Sequence, residues 1–126
     1  MSRILVVDDQ EDNRRILRDL LTSVGHEVIE ALTGEEAVAS AEARVPDLIL
    51  MDIQLPGIDG YEATRRIKAK PALRAIPLIV VTSYALSGDE TKALAAGADA
   101  YVSKPFSPRA LLAKVREYLP SRAGGT

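Results

Sequence analysis

A chain of 126 residues with 47% hydrophobic composition is long enough to bury one core and too short for two. A formal net charge of -2 offers no basic face for a polyanion, so nucleic acid is not expected as a partner. The lack of cysteine excludes disulfides and thiolate metal sites, and one histidine, His26, leaves little for zinc. The longest apolar runs are too short to span a bilayer and the amino terminus lacks the apolar stretch of a signal peptide, so a cytoplasmic protein with no membrane partner is expected.

The first apolar run, residues 4–7, follows Arg3 and ends at Asp8 and Asp9, reading as a buried strand with two carboxylates at its exit. Over residues 11–24, Ile16, Leu17, Leu20, Leu21 and Val24 recur at helical spacing, and Gly25 is placed to end the helix. Residues 27–31 form a short second strand. Thr33 and Glu36 have capping-box spacing for a helix to about residue 43, with Ala37, Val38 and Ala41 inward. Pro46 closes the loop into a third strand.

That strand is the unbroken run Leu48, Ile49, Leu50 and Met51, which suits a position covered on both faces in a parallel sheet. Asp52 ends it abruptly. A carboxylate does not fit inside such a run, but it does fit the crevice at the carboxyl edge of an open α/β sheet. Asp59 can cap a helix to about residue 70, with Ala63 and Ile67 inside. Pro77 can begin a strand, so residues 78–81 form the fourth, ending at Thr82 and Ser83. Ser87 and Glu90 have capping-box spacing for a helix that Gly97 stops, and residues 100–102 give a fifth strand. Ser107 as cap and Pro108 in the first turn launch the last helix, with Leu111, Leu112, Val115 and Leu119 inward, until Pro120. A domain over residues 1–120 with a disordered tail at 121–126 is expected.

Five strands alternating with five helices predict an α/β fold: an open five-stranded parallel sheet with helices on both faces and right-handed crossovers. Asp8, Asp9, Asp52, Thr82 and Lys104 all fall at carboxyl ends of strands and converge on one edge. Three carboxylates in one place repel unless a cation neutralises them, and magnesium fits, since it takes oxygen ligands and bridges carboxylates to phosphoryl groups. An aspartate can act as nucleophile and form an acyl phosphate, which requires alignment and charge neutralisation more than covalent help. Lys104 can supply neutralisation, the Thr82 hydroxyl can donate to a phosphoryl oxygen, and small Ser83 leaves its N–H approachable.

Taken singly, these residues have plainer readings. Asp8 and Asp9 could be solvated strand-end residues, Thr82 a strand-end hydroxyl, and Tyr101 ordinary core packing. His26 reads as a surface residue away from the acidic edge. Arg14, Arg15, Arg18, Arg65 and Arg66 read as solvated helix faces, with a partner role for Arg14 and Arg15 as the sharper option, because the first helix flanks the pocket. A haloacid-dehalogenase-type phosphatase needs a second aspartate two residues after the first, where this chain has Gln54. A flavodoxin needs a hydroxyl-rich loop after its first strand, where residues 8–12 are acidic.

With VVDD at 6–9, MDIQLPGIDG at 51–60, VTSYA at 81–85 and GADAYVSKP at 97–105, the chain resembles the receiver domain of bacterial two-component response regulators over about residues 3–119. The resemblance implies a flavodoxin-like (βα)5 fold with strand order 2-1-3-4-5. It implies that Asp52 is the phosphoacceptor, that Asp8 and Asp9 hold magnesium with Asp52 and the Gln54 carbonyl, and that Lys104 pairs with the phosphoryl group. Thr82 becomes the switch hydroxyl, Tyr101 the aromatic that turns inward on activation, and the Lys104-Pro105 peptide is expected to be cis. Ser83 stands where alanine is more usual. In such a pocket Gln54 and Tyr84 flank the water route to the acyl phosphate and are expected to set its hydrolysis, with the Tyr84 ring as a shield or, in the plainer reading, pointing to solvent.

A histidine kinase or histidine phosphotransfer protein is the implied phosphoryl donor, and a downstream protein is expected on the face of the fourth helix, fifth strand and fifth helix. The protein is not expected to be an enzyme, though it would assist its own magnesium-dependent phosphorylation and dephosphorylation. It resembles single-domain regulators of the chemotaxis and cell-division (DivK-like) kinds. The alternatives are a phosphorelay shuttle, a receiver excised from a hybrid kinase or larger regulator, and a phosphorylation-independent interaction module.

Overall fold

Short apolar strands set the sheet, and the computed structural model describes residues 2–82 and 89–119. The strands are β1 (Arg3–Val7), β2 (Glu27–Ala31), β3 (Leu48–Met51), β4 (Leu78–Thr82) and β5 (Ala100–Ser103). All pair in parallel, in the order β2-β1-β3-β4-β5. Between and after them run α1 (Glu11–Thr22), α2 (Gly34–Arg44), α3 (Gly60–Ala69), α4 (Asp89–Ala95) and α5 (Pro108–Tyr118). The predicted fold and strand order therefore hold.

Alternation along the central strands divides the core into two layers. Leu5, Val7, Ile49, Met51, Leu78 and Val80 face one way and pack with Ala37, Ala41, Ala63, Ile67 and Ala93 of α2, α3 and α4. Ile4, Val6, Leu48, Leu50, Ile79 and Val81 face the other way and pack with Leu17, Leu21, Leu111 and Val115 of α1 and α5. Every residue of β3 and β4 is buried, whereas the edge strands β2 and β5 are only partly covered. Burying each of these larger side chains contributes roughly 1.5–3 kcal/mol, which is why the unbroken runs belong at the centre.

Local chemistry fixes the helix ends. Thr33 accepts from the Glu36 N–H at 3.0 Å, but the Glu36 carboxylate reaches back to the Leu32 N–H at 2.7 Å, one residue before the cap. Asp59 accepts from the Glu62 N–H, and Ser107 from the Ala110 N–H with Pro108 in the first turn. Helix α1 stops two residues before the predicted boundary. Gly25, at φ 93°, turns the chain so that the His26 N–H donates to the Leu21 carbonyl. Helix α2 ends instead at Val45, a β-branched residue held at φ 40°. The predicted cap Ser87, Pro120 and the tail at 121–126 lie outside the described residues.

Two expectations about polar residues fail. Arg14 is buried at 7% exposure, because it shares with Leu17 and Leu21 the stripe of α1 that faces the sheet, while Ile16 lies off that stripe and is exposed. His26 is half-buried, not a surface residue, and its Nδ1 is buried without a hydrogen bond. Burial, and then the amino-terminal charge, push its pKa down. Among the described residues, no helix is long and apolar enough to cross a membrane.

Candidate functional site

Strand register builds the site. Val7 and Met51 are paired across β1 and β3, so the next residues, Asp8 and Asp52, leave the sheet side by side. Backbone bonds hold each in place: the Asp52 N–H donates to the Val7 carbonyl, and the Asp8 N–H to the Ala31 carbonyl. On the other side, Thr82 and Ser103 end β4 and β5 in register, and the Lys104 N–H donates to the Thr82 carbonyl at 2.8 Å. Lys104 leaves the sheet from that point and turns back toward the aspartates.

Carboxylate oxygens of Asp8, Asp9 and Asp52 all lie within 4.8 Å of one another. The Lys104 ammonium stands 3.0 Å from Asp8 Oδ2 and 3.7 Å from Asp52 Oδ2. Asp8 Oδ1 accepts from the Gln10 N–H and Asp52 Oδ1 from the Gln54 N–H. Asp8 and Asp52 are buried, whereas Asp9 is exposed and marks the side open to solvent. Burial pushes the Asp52 carboxyl pKa up; Lys104 pulls against this, and Asp8 adds to it. Among the described residues, the Lys104 ammonium thus meets two of three clustered carboxylates, an oxygen-only donor set of the kind that a hard divalent cation takes.

The segment after Asp52 is folded tightly against it. A Cβ on Gly60 would lie 2.1 Å from the Asp52 carbonyl oxygen, and the Gly60 N–H donates to the Ile53 carbonyl at 2.8 Å. Only glycine allows that approach, so Gly60 sets where the Asp52 backbone sits. Gln54 is exposed at the mouth.

Thr82 is fully buried and Tyr101 is half-buried against the cluster on the α2, α3 and α4 side. Val80 belongs to that cluster and pairs with Tyr101, so Thr82, two residues further on, shares their face of the sheet as the diagonal neighbour of Tyr101. The Lys104-Pro105 peptide is cis, as expected. Ser83 and Tyr84 lie outside the described residues. An apolar groove of about 370 Å³ opens beside Lys104, lined by Asn13, Ile16, Leu17, Pro105, Phe106 and Pro108, and accounts for the exposure of Ile16.

Sequence reasoning missed two residues around the site. Gly60 enters the sequence reading only as the end of the motif at 51–60, with no role of its own. Arg14 was assigned to solvent, although its spacing of three and seven from Leu17 and Leu21 put it on the buried stripe.

Residues 4–116 match the family described as "Response regulator receiver domain". The polar-differentiation response regulator DivK of Brucella ovis is 42% identical over 116 residues, which cover 92% of this chain and 94% of that protein. The solved receiver domain of a sensor histidine kinase from Pseudomonas aeruginosa PAO1, with magnesium coordinated in its active site cleft, is 39% identical with a TM-score of 0.87. That alignment covers 93% of this chain and 96% of the other. The chemotaxis protein CheY4 of Vibrio cholerae superposes with a TM-score of 0.88 at 28% identity, covering 94% of this chain and 99% of that one.

Proposed function

The chain belongs to the response regulator receiver family, and on that premise we propose that it is a signalling switch phosphorylated on Asp52 by a histidine kinase or histidine phosphotransfer protein. The observation that carries the assignment is the position of Asp52: a buried carboxylate beside two others, 3.7 Å from the Lys104 ammonium. The reaction forms a bond from an Asp52 carboxylate oxygen to phosphorus while the phosphorus bond to the donor histidine nitrogen breaks. The nitrogen keeps the electron pair, and the imidazole takes up a proton.

Asp8, Asp9 and Asp52, with the Gln54 carbonyl, would hold magnesium. When bound, it would neutralise charge on the transferring oxygens. Lys104 swings from Asp8 to a phosphoryl oxygen, the Thr82 hydroxyl donates to another, and Ser83 offers its N–H. Gln54 and Tyr84 govern the approach of water to the acyl phosphate. The groove beside Lys104 gives a donor protein an apolar surface on its way to Asp52. A downstream protein reads the α4, β5 and α5 face, and a cytoplasmic setting goes with this reading.

A phosphorelay shuttle is the second reading, favoured by the 39% identity to a receiver that belongs to a sensor histidine kinase. Passage of phosphate from this protein onto a histidine phosphotransfer protein distinguishes it from a terminal switch. For the site itself, incubation with acetyl phosphate and magnesium, followed by intact mass measurement, should add one phosphoryl group to wild type and none to Asp52→Asn. An adduct that survives the substitution, or none on wild type, overturns the assignment.

A further inference from the structure

Arg14 is the one arginine among the described residues that is buried, and each arm of its guanidinium is committed. Nε donates to Glu30 Oε1 at 3.0 Å, Nη2 to Glu11 Oε1, and Nη1 to the backbone carbonyl of Asp8 at 2.9 Å. Glu30 belongs to β2 and Glu11 to the first turn of α1, so the side chain ties two elements to the residue that begins the acidic loop. Arg18 also pairs with Glu30 and Glu11 but makes no bond to Asp8. The network holds two arginines against two glutamates and adds little net charge to the site.

Every hydrogen-bonding group of Asp8 is thereby used. Its N–H goes to Ala31, Oδ1 accepts from Gln10, Oδ2 pairs with Lys104, and its carbonyl is taken by Arg14. That carbonyl belongs to the peptide plane from which Asp9 hangs, and among the described residues the bond from Arg14 is the hydrogen bond that holds it. Asp9 itself is exposed, so the direction in which its carboxylate leaves the chain depends on that plane. We propose that Arg14 is a positioning residue for the divalent-cation site: it locks the Asp8–Asp9 peptide and so aims the Asp9 carboxylate at the oxygens of Asp8 and Asp52.

The inference rests on the reading of the acidic cluster as a magnesium site. Magnesium demands near-ideal octahedral geometry, whereas calcium accepts longer and less regular oxygen contacts. A residue that aims a ligand therefore controls discrimination between the two ions. Lysine at position 14 keeps the positive charge but cannot make three fixed bonds from one planar group.

The test is an NMR titration of unphosphorylated protein with magnesium and with calcium, following the amide shifts of the acidic loop. Residues that orient metal ligands typically contribute 10–100-fold in affinity, so Arg14→Lys should weaken magnesium binding by about ten-fold and calcium binding by clearly less. Arg18→Met, which disturbs the same glutamates without touching Asp8, should leave both affinities unchanged. Should Arg14→Lys not fold, Glu30→Leu frees Nε from its anchor and should narrow the preference for magnesium in the same direction. Equal losses for both ions, no loss, or an equal effect from Arg18→Met would overturn the positioning role. Absence of magnesium binding by wild type would instead overturn the reading of the cluster beneath it.

Discussion

Lys104 Nζ lies 3.0 Å from Asp8 Oδ2 across 96 residues of sequence, and this pair closes the site between the two halves of the sheet. Asp8 is 1% exposed, so its carboxylate has few other ways to be neutralised. Breaking a buried pair by removing one partner typically costs about 3–5 kcal/mol, because the remaining charge stays desolvated. Lys104→Met should lower stability toward the bottom of that range, about 3 kcal/mol, since the Gln10 N–H still bonds Asp8. Urea denaturation with a chelator present measures it. Adding magnesium should recover part of the loss, because a cation that binds only the folded state stabilises it. Unchanged stability would show that the pair is neutral in the fold.

Asp52 provides the pH-dependent counterpart. Burial raises its carboxyl pKa above the ordinary 3.8, with Asp8 adding to the rise and Lys104 opposing it. The folded state therefore binds the proton more tightly than the unfolded state, and ionisation of Asp52 costs stability as pH rises above 3.8. In chelator, Asp52→Asn should melt several degrees higher than wild type at neutral pH, and the gap should close as pH falls below 3.8. Thermal melts across that range decide it. A gap independent of pH would mean that the amide acts through packing or hydrogen bonds and not through relief of charge.

How far the sequence went depended on whether a residue's neighbours were local. The runs at 48–51 and 78–81 identified buried parallel strands because no exposed strand can carry them, and Thr33, Asp59 and Ser107 marked helix starts through bonds three residues away. Parallel order alone then collected Asp8, Asp52, Thr82 and Lys104 on one edge. Arg14 escaped although its spacing puts it on the buried stripe, because the partners that make a buried guanidinium tolerable, Glu30 and the Asp8 carbonyl, are not seen in a reading of charge along α1. His26 escaped for a related reason: a residue next to a helix-ending glycine reads as exposed, but its ring lies beside α5 in a groove of about 330 Å³ shared with Val24, Leu112, Arg116 and Leu119.

Val45 is a third such case and yields a prediction. Glycine or asparagine usually takes the left-handed position that ends a helix, and Val45 at φ 40° holds it with a β-branched side chain. Left-handed backbone costs an ordinary residue roughly 1–2 kcal/mol. Val45 is 54% exposed, so little packing is lost with its side chain. Val45→Gly should raise stability by about 1 kcal/mol, part of the relief being offset by glycine's greater freedom in the unfolded chain. Chemical denaturation checks it. A loss of stability would mean that the valine packs better than its exposure suggests.

Thr82 and Tyr101 join the pocket to the face proposed for partners. They are diagonal neighbours on one face of β4 and β5, and Thr82 is fully buried while Tyr101 is half-buried against the α2, α3 and α4 layer. A hydroxyl drawn toward a phosphoryl group on Asp52 leaves its present surroundings, and the larger ring beside it is the group able to take up that space. On the proposed reading, two packings of the same side chains would give two states, and phosphorylation would favour the one in which the hydroxyl reaches the added oxygens. Removal of the hydroxyl takes away this differential contact, not the acceptor itself. Thr82→Ala should therefore still gain one phosphoryl group from acetyl phosphate. Its response beyond the pocket should shrink: hydrogen exchange in α4 and β5 should change on phosphorylation of wild type and change several-fold less in the variant. An equal change in both proteins would show that the signal leaves Asp52 by another route, with Lys104 and the start of α5 as the next contact to test.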